Sequence, residues 1–302
     1  MTPFGIYGYI FTKEMTFDLG ILTPRFNNLH EIKKEKCNGE SYILTGFFTP
    51  NSSANKNLSQ ALFDLSAILS FIEQKNVIIA HSLKENESPL TFGDDFPITL
   101  DIKRKRGPGQ IIMEDCFSKD GRSAFIKLAI NKLSENNKTN QNPFRTAFFK
   151  SMLSFRENIS YVDVNYYLSF SALESLCRYI QNDYAPSRAP QIITTTLQNY
   201  GFNVSKKDNA VPQRNIMHYC ALRNALFHKG DYIALVEYNN PDSIIYLKDY
   251  SSCISLLLSL LIMKHIGFDD NYINWDSWID RQPFISKNNK TIMVLLSFLN
   301  PV

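Results

Sequence analysis

The apolar residues of this chain change their spacing once, and that change limits the folds open to it. Up to about residue 120 they come in short runs rich in aromatic and β-branched side chains: Gly5 to Phe11, Met15 to Leu22, Ser41 to Phe48, Asn76 to His81 and Ile98 to Lys103. Runs of this kind read as strands, with one helix among them from about Leu58 to Glu73. Further on, apolar positions step by three and four. Tyr166, Phe170, Leu173, Cys177 and Ile180 make one such stripe. Phe144, Phe148 and Met152 make another, in a segment from Pro143 to Glu157 that Asn142 and Pro143 open in good N-terminal positions. Helices are also expected from Ser123 to Leu133, Gln191 to Tyr200, Arg214 to Phe227 and Ser252 to Ile266, and a strand pair between Tyr232 and Tyr246. The expected fold class is therefore α+β, a β-rich N-terminal domain followed by an all-α helical bundle. The domains divide as residues 1–120, 121–266 and a C-terminal extension 267–302, although Gly121-Arg122 and the polar stretch Ser134 to Asn142 are both plausible breaks.

Composition narrows the class of protein. The chain has 302 residues, 44% apolar and 20% charged, which is ordinary globular composition with room for two modest cores. A formal charge of +3 is too mild for a dedicated duplex-DNA binder but permits brief engagement of an RNA loop. Cys37, Cys116, Cys177, Cys220 and Cys253 lie far apart with no paired spacing for zinc, and reduced thiols in a cytoplasm are their simplest reading. Met1 to Met15 lacks the basic start of a secretion signal and carries Lys13 and Glu14 where an apolar run should continue. The longest apolar stretch, Ile254 to Met263, is far short of the roughly 20 residues that cross a bilayer. It reads as a buried helix, and Ile292 to Leu299 as a shorter docked strand or helix.

Chemistry concentrates in Arg223-Asn224-Ala225-Leu226-Phe227-His228, closed by Lys229-Gly230. Arginine is a permanent cation, and histidine is the side chain that exchanges protons near neutrality. Spacing alone proves little. With 11 Arg and 5 His in the chain, an Arg followed by a His four to six residues later is expected about 0.5 times by chance. Arg25 to His30 is such a decoy, because it follows Pro24 in a segment without helical periodicity. The second match lies on a helix apolar on two faces. Tyr219, Leu222, Ala225 and Leu226 share one side, and Met217, Cys220, Ala221, Asn224, Phe227 and His228 share the other. A helix hydrophobic all round is buried all round, so one face should pack on the bundle and the other on a second subunit. Arg223 and His228 stand about 140° apart on an ideal helix. Gly230 offers a left-handed stop at which His228 can leave the cylinder while the long Arg223 side chain reaches toward it.

On these residues, together with the earlier helix carrying Ser171-Ala172-Leu173-Glu174-Ser175-Leu176 and the apolar final helix, the chain resembles the HEPN family over roughly residues 125 to 266. Within that family it is similar to the ApeA-like ribonucleases of bacterial antiphage defence. The resemblance implies a metal-independent endoribonuclease without cofactors, active as a homodimer through the helix from Arg223 to His228. Its partner would be RNA, a tRNA or an mRNA, and its trigger a phage-derived one. Arg223, Asn224 and His228 would be the catalytic residues. The strand pair after Tyr232 departs from the family, and nothing matches the zinc-binding insert of some relatives.

The chemistry agrees with that assignment. Cleavage through the 2′-hydroxyl needs a base, an acid for the leaving 5′-oxygen, and positive charge at the phosphorane oxygens. His228 can be base or acid, Arg223 can hold the phosphate bidentately, and Asn224 can orient the scissile group or the imidazole. Glu174 should pair with Arg178 four residues on, and a supporting role in the cleft is open to it. Lys103-Arg104-Lys105-Arg106 could contact phosphates beside an RNA path or simply be a solvated hairpin tip. His218 falls beside the core face as a packing histidine. Two other readings stand beside the nuclease: a catalytically inactive HEPN-like dimerising module that binds a protein or RNA, and a nucleotide-binding or nucleotide-transferring partner in a toxin and antitoxin pair.

Overall fold

The computed structural model describes residues 3–35, 41–55, 57–82, 96, 98–103, 109–135, 142–156, 161–185, 188–207, 210–237, 240 and 243–285. The fold is α+β, with an N-terminal sheet and the helices after it. The strands are β1 (Phe4–Tyr7), β2 (Met15–Phe17), β3 (Gly20–Pro24), β4 (Ser41–Pro50), β5 (Ile78–Ser82) and β6 (Thr99–Lys103). They form one antiparallel sheet in the order β2-β3-β4-β1-β5, with β6 on the first residues of β4. Two expected strands differ. The run from Met15 to Leu22 is a hairpin rather than one strand, because the chain turns at Asp18-Leu19. Gly20 lets that turn lie on β4, where a Cβ would collide with the Thr49 carbonyl. The run from Gly5 ends at Tyr7, where Gly8 takes a left-handed φ of 85°.

Helices α1 (Leu29–Glu35) and α2 (Ser52–Asn55) are short, whereas α3 (Leu58–Glu73) carries the sheet onto the bundle. Every residue of α3 from Ala67 to Glu73 is buried, as befits a helix covered on both sides. Phe71 stacks on Phe125 at 5.3 Å and on Phe148 at 5.1 Å. Those rings belong to α4 (Gly121–Ser134) and α5 (Pro143–Arg156), the latter capped by Asn142 Oδ1, which accepts the Arg145 N–H at 2.9 Å. At the boundary expected near residue 120, Asp120 is left-handed at φ 62°, and one apolar core runs across it from Ile6 and Phe48 to Leu257 and Trp278.

A buried polar bolt lies at that crossing. Arg122, fully buried at the start of α4, donates from Nε to the Met113 carbonyl at 3.2 Å and from Nη1 to the Ile10 carbonyl. Its Nη2 stands 3.9 Å from Glu73 Oε1, which accepts the Ile10 N–H and Gln110 Nε2, each at 3.1 Å. One guanidinium thus joins the loop after β1, the end of α3 and the segment before α4.

The bundle is built around α6 (Val162–Gln181), which packs on α5, on α7 (Ala189–Asn199), on α8 (Ile216–Lys229) and on α9 (Ser251–His265). In α9 every residue from Leu257 to Met263 is buried. Between α8 and α9 the expected strand pair is present as β7 (Ile233–Leu235) and β8 (Ile244–Tyr246), a separate two-stranded ribbon. The extension begins by docking on the core through buried Trp278, on the short α10 (Ser277–Asp280). Its run from Ile292 to Leu299 lies outside the described residues. Among the described residues no helix is long and apolar enough to cross a membrane.

Arg122→Ala removes a buried guanidinium beside Glu73 together with its bonds to the Ile10 and Met113 carbonyls, so unfolding in urea should show a loss of about 3–5 kcal/mol. A loss below about 1 kcal/mol would show that Arg122 does not bolt the sheet to the bundle.

Candidate active site

Helix α8 begins at Asn215 and stops where expected, with Gly230 left-handed at φ 72° and its N–H bonded to the Leu226 carbonyl at 3.0 Å. One face fits the bundle: Ile216, Tyr219, Cys220 and Leu222 are buried, and Tyr166 Oη on α6 donates to the Tyr219 carbonyl at 2.8 Å. The second apolar face is only partly covered in the single chain. Met217 and Ala221 are half-buried, and Asn224, Phe227 and His228 are exposed. Of the residues placed on that face from the sequence, Cys220 alone is buried; its thiol is pushed up to about 12 by desolvation, so it packs and does not react.

Arg223 points from α8 toward α6. Its Nη1 donates to Asn224 Oδ1 at 2.9 Å, and its Nη2 lies 4.0 Å from Glu174 Oε2. The guanidinium sits over the rings of Phe170 at 5.8 Å and Phe227 at 5.4 Å, within cation–π range. Glu174 is therefore shared. Its Oε1 accepts Arg178 Nε at 3.0 Å and Nη2 at 2.7 Å, the pair expected from their spacing, while Oε2 faces Arg223. With 39% of the Arg223 side chain accessible, this arrangement fixes a cation and still leaves it open to a ligand. Tyr167 adds to the frame, its ring 4.7 Å from that of Phe227. Sequence reasoning does not single out Tyr167 and Phe170 for this role. Their signal is positional, since Phe170 precedes Glu174 by one helical turn and Tyr167 by two.

His228 corrects one expectation. The helix runs through it to Lys229, so the imidazole stays on the cylinder, about 140° from Arg223, and does not swing toward it. Among the described residues its side chain has no hydrogen bond, ion pair or ring contact, and it shares the uncovered side with Asn224. Within one chain Asn224 alone connects to Arg223. His218 is a packing residue: Nδ1 is 2.8 Å from Tyr250 Oη, and desolvation lowers its pKa. Of the basic cluster, Lys103 ends β6, while Arg104, Lys105 and Arg106 lie outside the described residues.

Because no described residue holds the His228 side chain, its replacement tests whether it is structural. His228→Ala should shift the unfolding free energy by less than about 1 kcal/mol, the scale of a histidine at a helix C-terminus. A loss above about 2 kcal/mol in urea would assign the residue to the fold instead.

No protein-family model matches this chain, and neither a curated protein nor a solved structure shows significant similarity to it.

Proposed function

We propose that this chain is a metal-independent endoribonuclease of the HEPN type that cleaves RNA by 2′-hydroxyl attack and acts in the cytoplasm as a homodimer through α8. Its setting is bacterial antiphage defence, with the β-rich N-terminal part sensing a phage-derived trigger. The observation that carries the reading is the exposed side of α8: His228 has no partner there among the described residues, and Asn224 lies exposed with its Oδ1 on the Arg223 guanidinium that Glu174 faces. A second copy supplies what one chain lacks, an Arg223 brought to face the other chain's His228.

In that cleft His228 removes the 2′-hydroxyl proton, and the 2′-oxygen attacks phosphorus. Arg223 neutralises the charge gathering on the non-bridging oxygens. The bond from phosphorus to the 5′-oxygen breaks, and the second protomer's His228, protonated, delivers a proton to the leaving oxygen. One fragment ends in a 2′,3′-cyclic phosphate and the other begins with a 5′-hydroxyl. Asn224 positions the guanidinium through its bond to Arg223, and Glu174 holds that group from the other side.

The test incubates the full chain with structured RNA in excess chelator and repeats the assay by coexpression toxicity, which covers a need for an activator. Arg223→Ala and His228→Ala should each lower cleavage by roughly 100-fold or more with the dimer retained. Wild type that forms the dimer but cuts no RNA and is not toxic would favour the inactive dimerising module, and cleavage undiminished in both variants would overturn the site.

A further inference from the structure

The ribbon of β7 and β8 breaks the alternation that an exposed ribbon should show. Its ladder pairs Ile233 with Tyr246 and Leu235 with Ile244, which places these four on one face and Ala234 with Ile245 on the other. The inner face is accounted for, because Ala234 is buried and Ile245 packs against the core. The outer four are 46%, 47%, 48% and 37% exposed for Ile233, Tyr246, Leu235 and Ile244. An antiparallel pair with one face on the core ordinarily turns polar residues outward. Here the outward row is as apolar as the inward one, on an isolated two-stranded element of a kind that has little stability of its own.

We infer that the outer face of this ribbon and the uncovered side of α8 form one seam, closed by the same two surfaces of a second copy of this chain. The inference rests on the dimer reading of α8 and adds to it a surface on the segment that departs from the family resemblance.

Area favours the combination. About half of the surface of Tyr246, with the three aliphatic members, gives the outer face on the order of 300–400 Å² of open area. A stable interface takes roughly 800 Å² from each partner, so the ribbon alone is too small. The ribbon packs directly on α8, whose exposed side adds Phe227, with Tyr167 on α6 against it and half-buried Met217 on the same side of α8. Together they approach the required area. The charges favour a second copy over a polyanion. Around the ribbon, Lys229 and Lys248 share the exposed rim with Asp231, Glu237 and Asp249. A ribbon rim of both signs complements itself about a two-fold axis and, among the described residues, offers no basic patch to a polyanion, leaving Arg223 on α8 as the cation that meets RNA.

Sedimentation equilibrium of the full chain over a wide concentration range tests this, with Leu235→Glu/Ile244→Lys on the ribbon and Ala221→Arg on α8. The altered ribbon side chains are exposed, so the circular dichroism spectrum should not change. The ribbon variant should raise the dimer Kd about 30-fold or more, the effect of losing a central contact. Leu235→Ser serves if the double variant misfolds, and amide exchange over 233–246 should slow as wild type dimerises. Dimerisation lost in Ala221→Arg but untouched in the ribbon variants overturns the seam and leaves the ribonuclease reading standing. Ribbon variants that abolish the dimer of a chain that never cuts RNA support the seam and sink the ribonuclease. A wild-type monomer overturns the seam, and one that sediments with phosphatidylcholine vesicles names lipid as the occupant instead.

Discussion

Burial on every side is the constraint that organises this molecule. A helix apolar all round is stable only if neighbours cover its whole circumference. Two helices meet that demand inside the chain. The second half of α3 lies between the sheet and α4 with α5, and α9 lies within the bundle against α6. The third, α8, meets it incompletely, with Tyr219 and Leu222 in the core, Ala221 and Ala225 half-buried against it, and Asn224, Phe227 and His228 exposed. The proposed site and the proposed seam both follow from that incomplete cover.

The same constraint links the sheet to the bundle. Because α3 is covered from both sides, the apolar core does not stop where strand character gives way to helix. Polar groups are trapped at that junction, where Arg122 bonds the Ile10 and Met113 carbonyls through Nη1 and Nε while its Nη2 lies beside Glu73 without a hydrogen bond among the described residues. The sheet thus connects to α5 and α6 through this junction, and Glu174 on α6 is the group that faces Arg223.

Local signals were readable wherever one period or one cap decides the conformation. Apolar spacing and Asn142 marked α5, Gly230 marked the end of α8, and β-branched runs marked most strands. The hairpin between Met15 and Leu22 was not legible as two strands, because the turn depends on the approach of Gly20 to β4, a contact between distant residues. At the site, Arg223, Asn224 and the Glu174–Arg178 pair followed from helical spacing. The aromatic frame from Tyr167 and Phe170 did not, since it arises only when α6 crosses α8. The position of His228 turned on how far the helix continues, and one further residue of helix keeps it away from Arg223.

The central claim is that two copies of the open side of α8 face each other with Arg223 and His228 in the space between. Its most direct test places a single thiol on that side, Asn224→Cys, in a chain with Cys37→Ser and Cys116→Ser so that the remaining cysteines are buried ones. Treatment with a short bis-maleimide should then give a covalent dimer that is absent when the thiol is placed instead at exposed Lys119, far along the chain from α8. Complete reaction of the thiol introduced on α8 with only monomers on a denaturing gel would contradict the account.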